Sequence, residues 1–140
     1  MTTSSITFCQ TLYDAFARRD LDTILAAVTA ETVIEQSPGL PWSGTHRGKD
    51  GVTAFFGTLL GHLDTELDVE DLFDAGDAVV QVGRTRGRIL ANGNQFDVRE
   101  IHLLEIRDEK LLTLRVWVDV PAMQSALAGK LSLAADGTPR

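Results

Sequence analysis

The chain has one cysteine, Cys9, in 140 residues. It can form no internal disulfide and no zinc site built on cysteines, and Cys9 reads as a small buried hydrophobe of the first helix. Basic residues are the minority, 13 Lys and Arg against 20 Asp and Glu, for a net charge of -7. A nucleic-acid partner demands a basic footprint and is excluded; an anionic membrane surface is disfavoured for the same reason. No apolar run approaches the length of a membrane-spanning helix. The first ten residues lack the basic start and apolar stretch of a signal peptide, so the default address is the cytoplasm. The three histidines, His46, His62 and His102, have no ligand spacing, and no metal site is expected. Neither a glycine-rich phosphate loop nor a nucleophile elbow is present, and no cofactor is expected.

What remains is an ordinary globular composition long enough for one domain with a core. Residues 1–128 read as that domain and 129–140 as a loose tail. Ile6, Cys9, Leu12, Tyr13 and Phe16 recur at helical spacing behind Ser and Thr capping candidates. Asp20 caps a second short helix carrying Leu21, Ile24, Leu25 and Val28, and residues 32–35 read as a short strand. A loop over 37–48 holds Pro38, Gly39, Pro41 and Gly44. A third helix presents Val52, Phe55, Phe56, Leu59, Leu60 and Leu63 on one apolar face. The second half alternates instead, with strands near 66–70 and over 78–90, 95–107 and 111–120. Pro121 then opens a short helix to 127, with Asp119 as cap. Helices followed by an antiparallel meander define an α+β fold, three N-terminal helices covering one face of a curved sheet.

Asn92-Gly93 is a hairpin signal. A two-residue turn pairs Ala91 with Asn94 and sets Thr85 opposite Glu100 and Gly83 opposite His102. Alternation then separates two faces. The inner one carries Val79, Gln81, Gly83, Thr85 and Gly87, then Phe96, Val98, Glu100, His102, Leu104 and Ile106, with Leu112, Leu114, Val116 and Val118 from the last strand. Glu100 and His102 are polar groups within this apolar stripe, two residues apart, and Gly83 and Gly87 remove bulk beside them. Burial opposes charge on the imidazole while the carboxylate favours it, a combination suited to a general acid or base. A satisfied core network is the competing explanation.

The outer face carries Arg84, Arg86, Arg88, Asp97, Arg99 and Arg115, with Glu66, Asp68 and Glu70 beside them. Salt bridges account for this pattern better than anion binding does. Ile101, Leu103 and Trp117 on the same face suggest a homodimer interface. Trp42 sits in the proline- and glycine-rich loop, as a lid over the pocket or a plug in the core; contact with the pocket is favoured because loops carry function. His46 reads as a surface or packing residue, and His62 as a histidine favoured by the C-terminal end of its helix.

Tyr13-Asp14-Ala15-Phe16, Arg19-Asp20-Leu21-Asp22, Gly44-Thr45-His46-Arg47-Gly48 before a Phe-Phe helix, and Arg115-Val116-Trp117-Val118-Asp119 together resemble the NTF2-like superfamily. The nearest likeness is to SnoaL-like and ketosteroid-isomerase-related proteins, over roughly residues 5–127. The resemblance implies a cone-shaped pocket, in a homodimer packed through the outer sheet face. It places the steroid-isomerase base at Gln36, its oxyanion tyrosine at Leu12 with Tyr13 one step off that face, and its oxyanion Asp at His102. None of these is retained. The acid/base Asp of the SnoaL-like cyclases also falls at His102, where a histidine can serve. The last Asp of the limonene-epoxide-hydrolase type falls at Val116.

The expected function is a cofactor-free acid/base enzyme, of isomerase, cyclase or lyase type, acting on a small apolar carbonyl or polycyclic compound. His102 moves a proton, Glu100 orients it, and Gln36 binds or polarises an oxygen. Leu12, Phe16, Trp42, Phe55, Leu59, Thr85, Val98, Val116 and Val118 contact the substrate. The alternatives are a non-catalytic small-molecule-binding domain and a dimeric interaction module with a vestigial pocket.

Overall fold

The computed structural model describes residues 4–129. The first helix, α1 (Ser5–Ala17), starts where the Ser4 hydroxyl accepts a hydrogen bond from the Thr7 amide, and α2 (Leu21–Ala26) where Asp20 accepts from the Thr23 amide. Then come β1 (Val28–Gln36), β2 (Gly44–Arg47) and α3 (Gly48–His62). The strands β3 (Leu63–Asp74), β4 (Val79–Ile89), β5 (Gln95–Arg107) and β6 (Lys110–Val118) follow, and α4 (Val120–Leu127) closes the described chain with Asp119 as its cap. The expected tail lies outside the described residues apart from Gly129, which donates a backbone hydrogen bond to Ala126 O.

The six strands form one open sheet in the order β2-β1-β6-β5-β4-β3. It is mixed rather than purely antiparallel, because β1 runs parallel to β6. The N-terminal part of the chain contributes more strand than a segment over 32–35. Val28 begins β1 instead of ending α2, and the loop after β1 contains β2, paired antiparallel to it. A register shift between Val28 and Val33 is closed by a side chain: Thr32 Oγ1 accepts from the Thr29 amide and donates to Leu111 O. Leu63 likewise leaves α3 and opens β3, a strand of 12 residues.

The β4–β5 hairpin also differs from expectation. Ile89 N donates to Asn94 O at 2.8 Å and Gly93 N to Ile89 O at 2.9 Å, so four residues, 90–93, make the turn. Within the turn, Asn92 Oδ1 accepts from the Asn94 backbone amide at 2.8 Å. The side-chain Nδ2 groups of Asn92 and Asn94 both donate to Ala126 O, at 3.0 and 3.1 Å, tying the hairpin tip to α4. The whole register moves by two. Gln81, not Gly83, lies opposite His102, Gly83 faces Glu100, and Thr85 faces Val98. A shift of two preserves the faces, since side chains alternate with period two. Phe96, Val98, Glu100, His102 and Leu104 are buried on the inner side, and Ile101 and Trp117 are exposed on the outer. One substitution occurs within the inner row: a shift between Glu105 and Ile106 buries Leu111 in place of the expected Leu112.

The helices cover the inner face. Phe16, Ile24, Ile34, Trp42, Val52, Phe55, Phe56, Leu63 and Met123 share one apolar core with the sheet. Arg19 fastens α1 to the sheet, donating to Phe16 O and Thr65 O with its guanidinium 4.6 Å above the Phe16 ring.

Candidate functional site

Between helices and sheet lies a cavity of about 100 Å³ with an overwhelmingly apolar wall. Helix α1 supplies Leu12, Tyr13 and Phe16, and α3 supplies Val52, Phe55, Phe56 and Leu59. The sheet adds Ile34, Gln36, Thr65, Thr85, Glu100, His102, Val116 and Val118. Eight of the nine expected contact residues line it: Leu12, Phe16, Trp42, Phe55, Leu59, Thr85, Val116 and Val118. Val98 does not; it is buried in the apolar core without reaching the cavity wall. Trp42 is 2 % exposed, and its ring forms wall rather than lid.

Three polar side chains of this wall, Tyr13, His102 and Glu100, meet one another and the buried Gln81. The Tyr13 hydroxyl is 2.7 Å from His102 Nδ1, and the two rings lie nearly parallel. On the other side of the imidazole, Nε2 is 3.4 Å from Glu100 Oε1. Gln81 Nε2 donates to Glu100 Oε2 at 2.5 Å and lies 3.2 Å from His102 Nδ1. Glu100 and His102 are 2 % and 6 % exposed, which places a potential ion pair in a low-dielectric wall. Burial pushes the Glu100 carboxyl up, but the charge of His102 and the hydrogen bonds from His102 and Gln81 outweigh it, so the group sits below its usual range. Tyr13 is held well above its usual value, first by burial and then by the negative charge of Glu100, against the pull of Gln81. Cys9, also buried, has its thiol pushed up to about 12 and is inert.

Tyr13 and Gln81 were not expected in this cluster. The signal for Tyr13 was its place on the apolar face of α1, where a buried hydroxyl needs a partner. Gln81 was on the inner face but hidden by the two-residue register error. The glycines have a different role from the one expected. A Cβ on Gly87 would stand 1.9 Å from Asp64 O, and one on Gly83 would stand 2.2 Å from Asp68 O and 2.7 Å from Gln81 Oε1. They admit the β3 backbone and the Gln81 amide rather than emptying the pocket.

Gln36 stands apart from the cluster in the same row of the sheet, with Val116 between it and His102. Two strand spacings separate the Gln36 and His102 backbones by roughly 10 Å. Gln36 Nε2 donates to Ser37 Oγ at 3.1 Å, while Oε1 is buried without a hydrogen-bond partner. His46 and His62 lie outside the cluster: His46 Nε2 is 3.0 Å from Trp42 O, and His62 Nδ1 is 2.8 Å from Thr58 O. Among the described residues no group of three or more His, Cys, Asp or Glu side chains could hold a metal ion, and no helix is long and apolar enough to cross a membrane.

Residues 9–113 match the SnoaL-like domain. The chain belongs to this family. The fold agrees with several solved structures. An NTF2-like protein of unknown function from Burkholderia pseudomallei superposes with a TM-score of 0.83 at 24% identity, covering 90% of this chain and 98% of that one. An NTF2-like protein from Burkholderia thailandensis gives 0.84 at 24% identity, with the same coverage. TerC, crystallised with polyporic acid, gives 0.79 at 22% identity, covering 88% of this chain and 97% of its own. These likenesses establish the NTF2-like cone. No curated protein matches the sequence significantly.

Proposed function

We propose that this SnoaL-like domain is a cofactor-free acid/base enzyme acting on a small, largely apolar carbonyl compound. The observation that carries the reading is a Tyr13–His102–Glu100 cluster, backed by Gln81, in the wall of a largely apolar cavity. Replacing such a cluster with hydrophobic residues costs a protein little stability, so its presence beside a cavity points to chemistry. His102 moves a proton, and Glu100 holds the ring and balances the imidazolium. Gln36, with a buried and unpartnered amide oxygen, binds a polar group at the far end of the ligand.

Size narrows the substrate. A cavity of about 150 Å³ holds benzene. The one here is about 100 Å³. A one-ring compound fits with small movements of the half-buried Leu59, Leu67 and Val118, whereas a polycyclic one needs a larger opening. The co-crystallisation of TerC with polyporic acid supports cyclic oxygenated ligands for this fold. The outer patch of Ile101 and Trp117, both more than 40 % exposed, supports a homodimer through that face.

The test is deuterium exchange into cyclohexenone in deuterated water, followed by NMR. The wild type accelerates exchange at carbon next to the carbonyl or its vinylogous position, and His102→Leu does not. Binding without exchange would instead make this a small-molecule-binding domain. Neither binding nor exchange, across cyclic ketones, phenols and lactones, would leave an interaction module with a vestigial pocket.

A further inference from the structure

The geometry points to Tyr13, rather than His102, as the residue that exchanges a proton with the ligand, with His102 as the relay behind it and Glu100 as the relay's counterion. This inference rests on the acid/base reading above and names the group that touches the substrate.

Both ring nitrogens of His102 are engaged within the wall. Nε2 faces Glu100 Oε1, and Nδ1 faces the Tyr13 hydroxyl with Gln81 Nε2 beside it. No ring nitrogen is left to reach a ligand. The titratable side chains around the imidazole are Tyr13 and Cys9 from α1 and Glu100 from β5, and β4 contributes the neutral Gln81. Of these, Cys9 is fully buried and absent from the cavity lining, and Glu100 is held by His102 and Gln81. Tyr13 lines the cavity, and its hydroxyl, bonded to Nδ1, can still make a further hydrogen bond to a ligand.

The contact between Tyr13 and Nδ1 survives either protonation state. With a neutral imidazole the hydroxyl donates to Nδ1, and with an imidazolium Nδ1–H donates to the hydroxyl oxygen. The step balances accordingly. A ligand proton passes to the Tyr13 oxygen as the O–H proton of Tyr13 passes to Nδ1. The ligand becomes an anion, Tyr13 stays neutral, and the imidazolium forms beside the Glu100 carboxylate. In reverse, Nδ1–H returns its proton to Tyr13 as Tyr13 protonates the ligand. No tyrosinate accumulates, which suits a hydroxyl beside a buried negative charge.

Tyr13 is the only tyrosine in the chain, so biosynthetic fluorotyrosine labels this hydroxyl alone. The probe is para-nitrophenol, whose visible phenolate band reports where its proton has gone. The wild type binds it and raises the bound phenolate fraction near neutral pH. Tyr13→Phe and His102→Gln each still bind it but lower that fraction at least tenfold, and the double variant is no worse than either single one, because the two groups act in series. In the fluorotyrosine protein, the fluorine resonance moves on binding and the phenolate titration shifts. An unchanged phenolate fraction in Tyr13→Phe, additive losses in the double variant, or a fluorine resonance indifferent to the probe would overturn the relay while leaving the acid/base cavity standing. Absence of para-nitrophenol binding to the wild type would remove the cavity reading and the relay with it.

Discussion

The two faces of the sheet use the same residue types to opposite ends. On the outer face Arg84 pairs with Asp97 at 2.7 Å, Arg99 with Glu70, and Arg115 with Glu35 at 3.4 Å, all with side chains a third or more exposed. On the inner face one carboxylate and one imidazole share a wall with almost no solvent. Exposed pairs are screened and interchangeable; a buried pair must be complete, because a charge left alone there has no water to turn to. The contrast explains why Gln81 and Tyr13 accompany the inner pair, bonding Glu100 and His102 although Gln81 Oε1 is itself left without a partner, while the outer arginines need no such shell.

The largest effect should come from leaving the inner pair half-made. His102→Leu strands the Glu100 carboxylate with Gln81 alone, and urea unfolding at neutral pH should show a loss of about 3–5 kcal/mol. Replacing Glu100 and His102 together by Leu should recover most of it. Next comes the curvature that separates the faces. Gly87→Ala drives a Cβ against Asp64 O, a backbone atom that cannot step aside, and should cost about 1–3 kcal/mol by the same measurement.

Acid should distinguish the faces more gently. The Glu100 carboxyl is held below its usual range when folded, so its contribution is present above the unfolded value, about 4.3, and drains away as pH falls through the lower folded value. Thermal melts from neutral pH downward should show this loss, and Glu100→Gln should blunt it. The smallest effect belongs outside: Arg84→Ala should change stability by less than about 1 kcal/mol, and salt should shrink the difference further.

Much of this was legible in the sequence, for identifiable reasons. Face assignment survived an error in the hairpin because the register moved by an even number, so Glu100 and His102 stayed inside and Arg84 and Arg99 outside. The error itself came from Asn92, which does not take the positive φ of a two-residue turn; its side chain instead accepts from the Asn94 amide and donates to Ala126 O. That slip set Gly83 where Gln81 belongs and hid one member of the cluster. Tyr13 was assigned off the pocket by analogy of position, although its own helix already placed it on the apolar face with Ile6 and Cys9. The parallel pairing of β1 with β6 left no local trace, since it joins segments some 80 residues apart.

On the proposed reading, the buried polar cluster is kept for a ligand rather than for the fold. The most direct measurement is the melting temperature of the wild type and of the variant with Leu at both 100 and 102, each with and without para-nitrophenol. An acid/base cavity predicts that the doubly apolar variant melts near or above the wild type and gives no ligand-induced rise, whereas the wild type gives a clear one. A variant that keeps the ligand response, or a wild type that shows none, would contradict it.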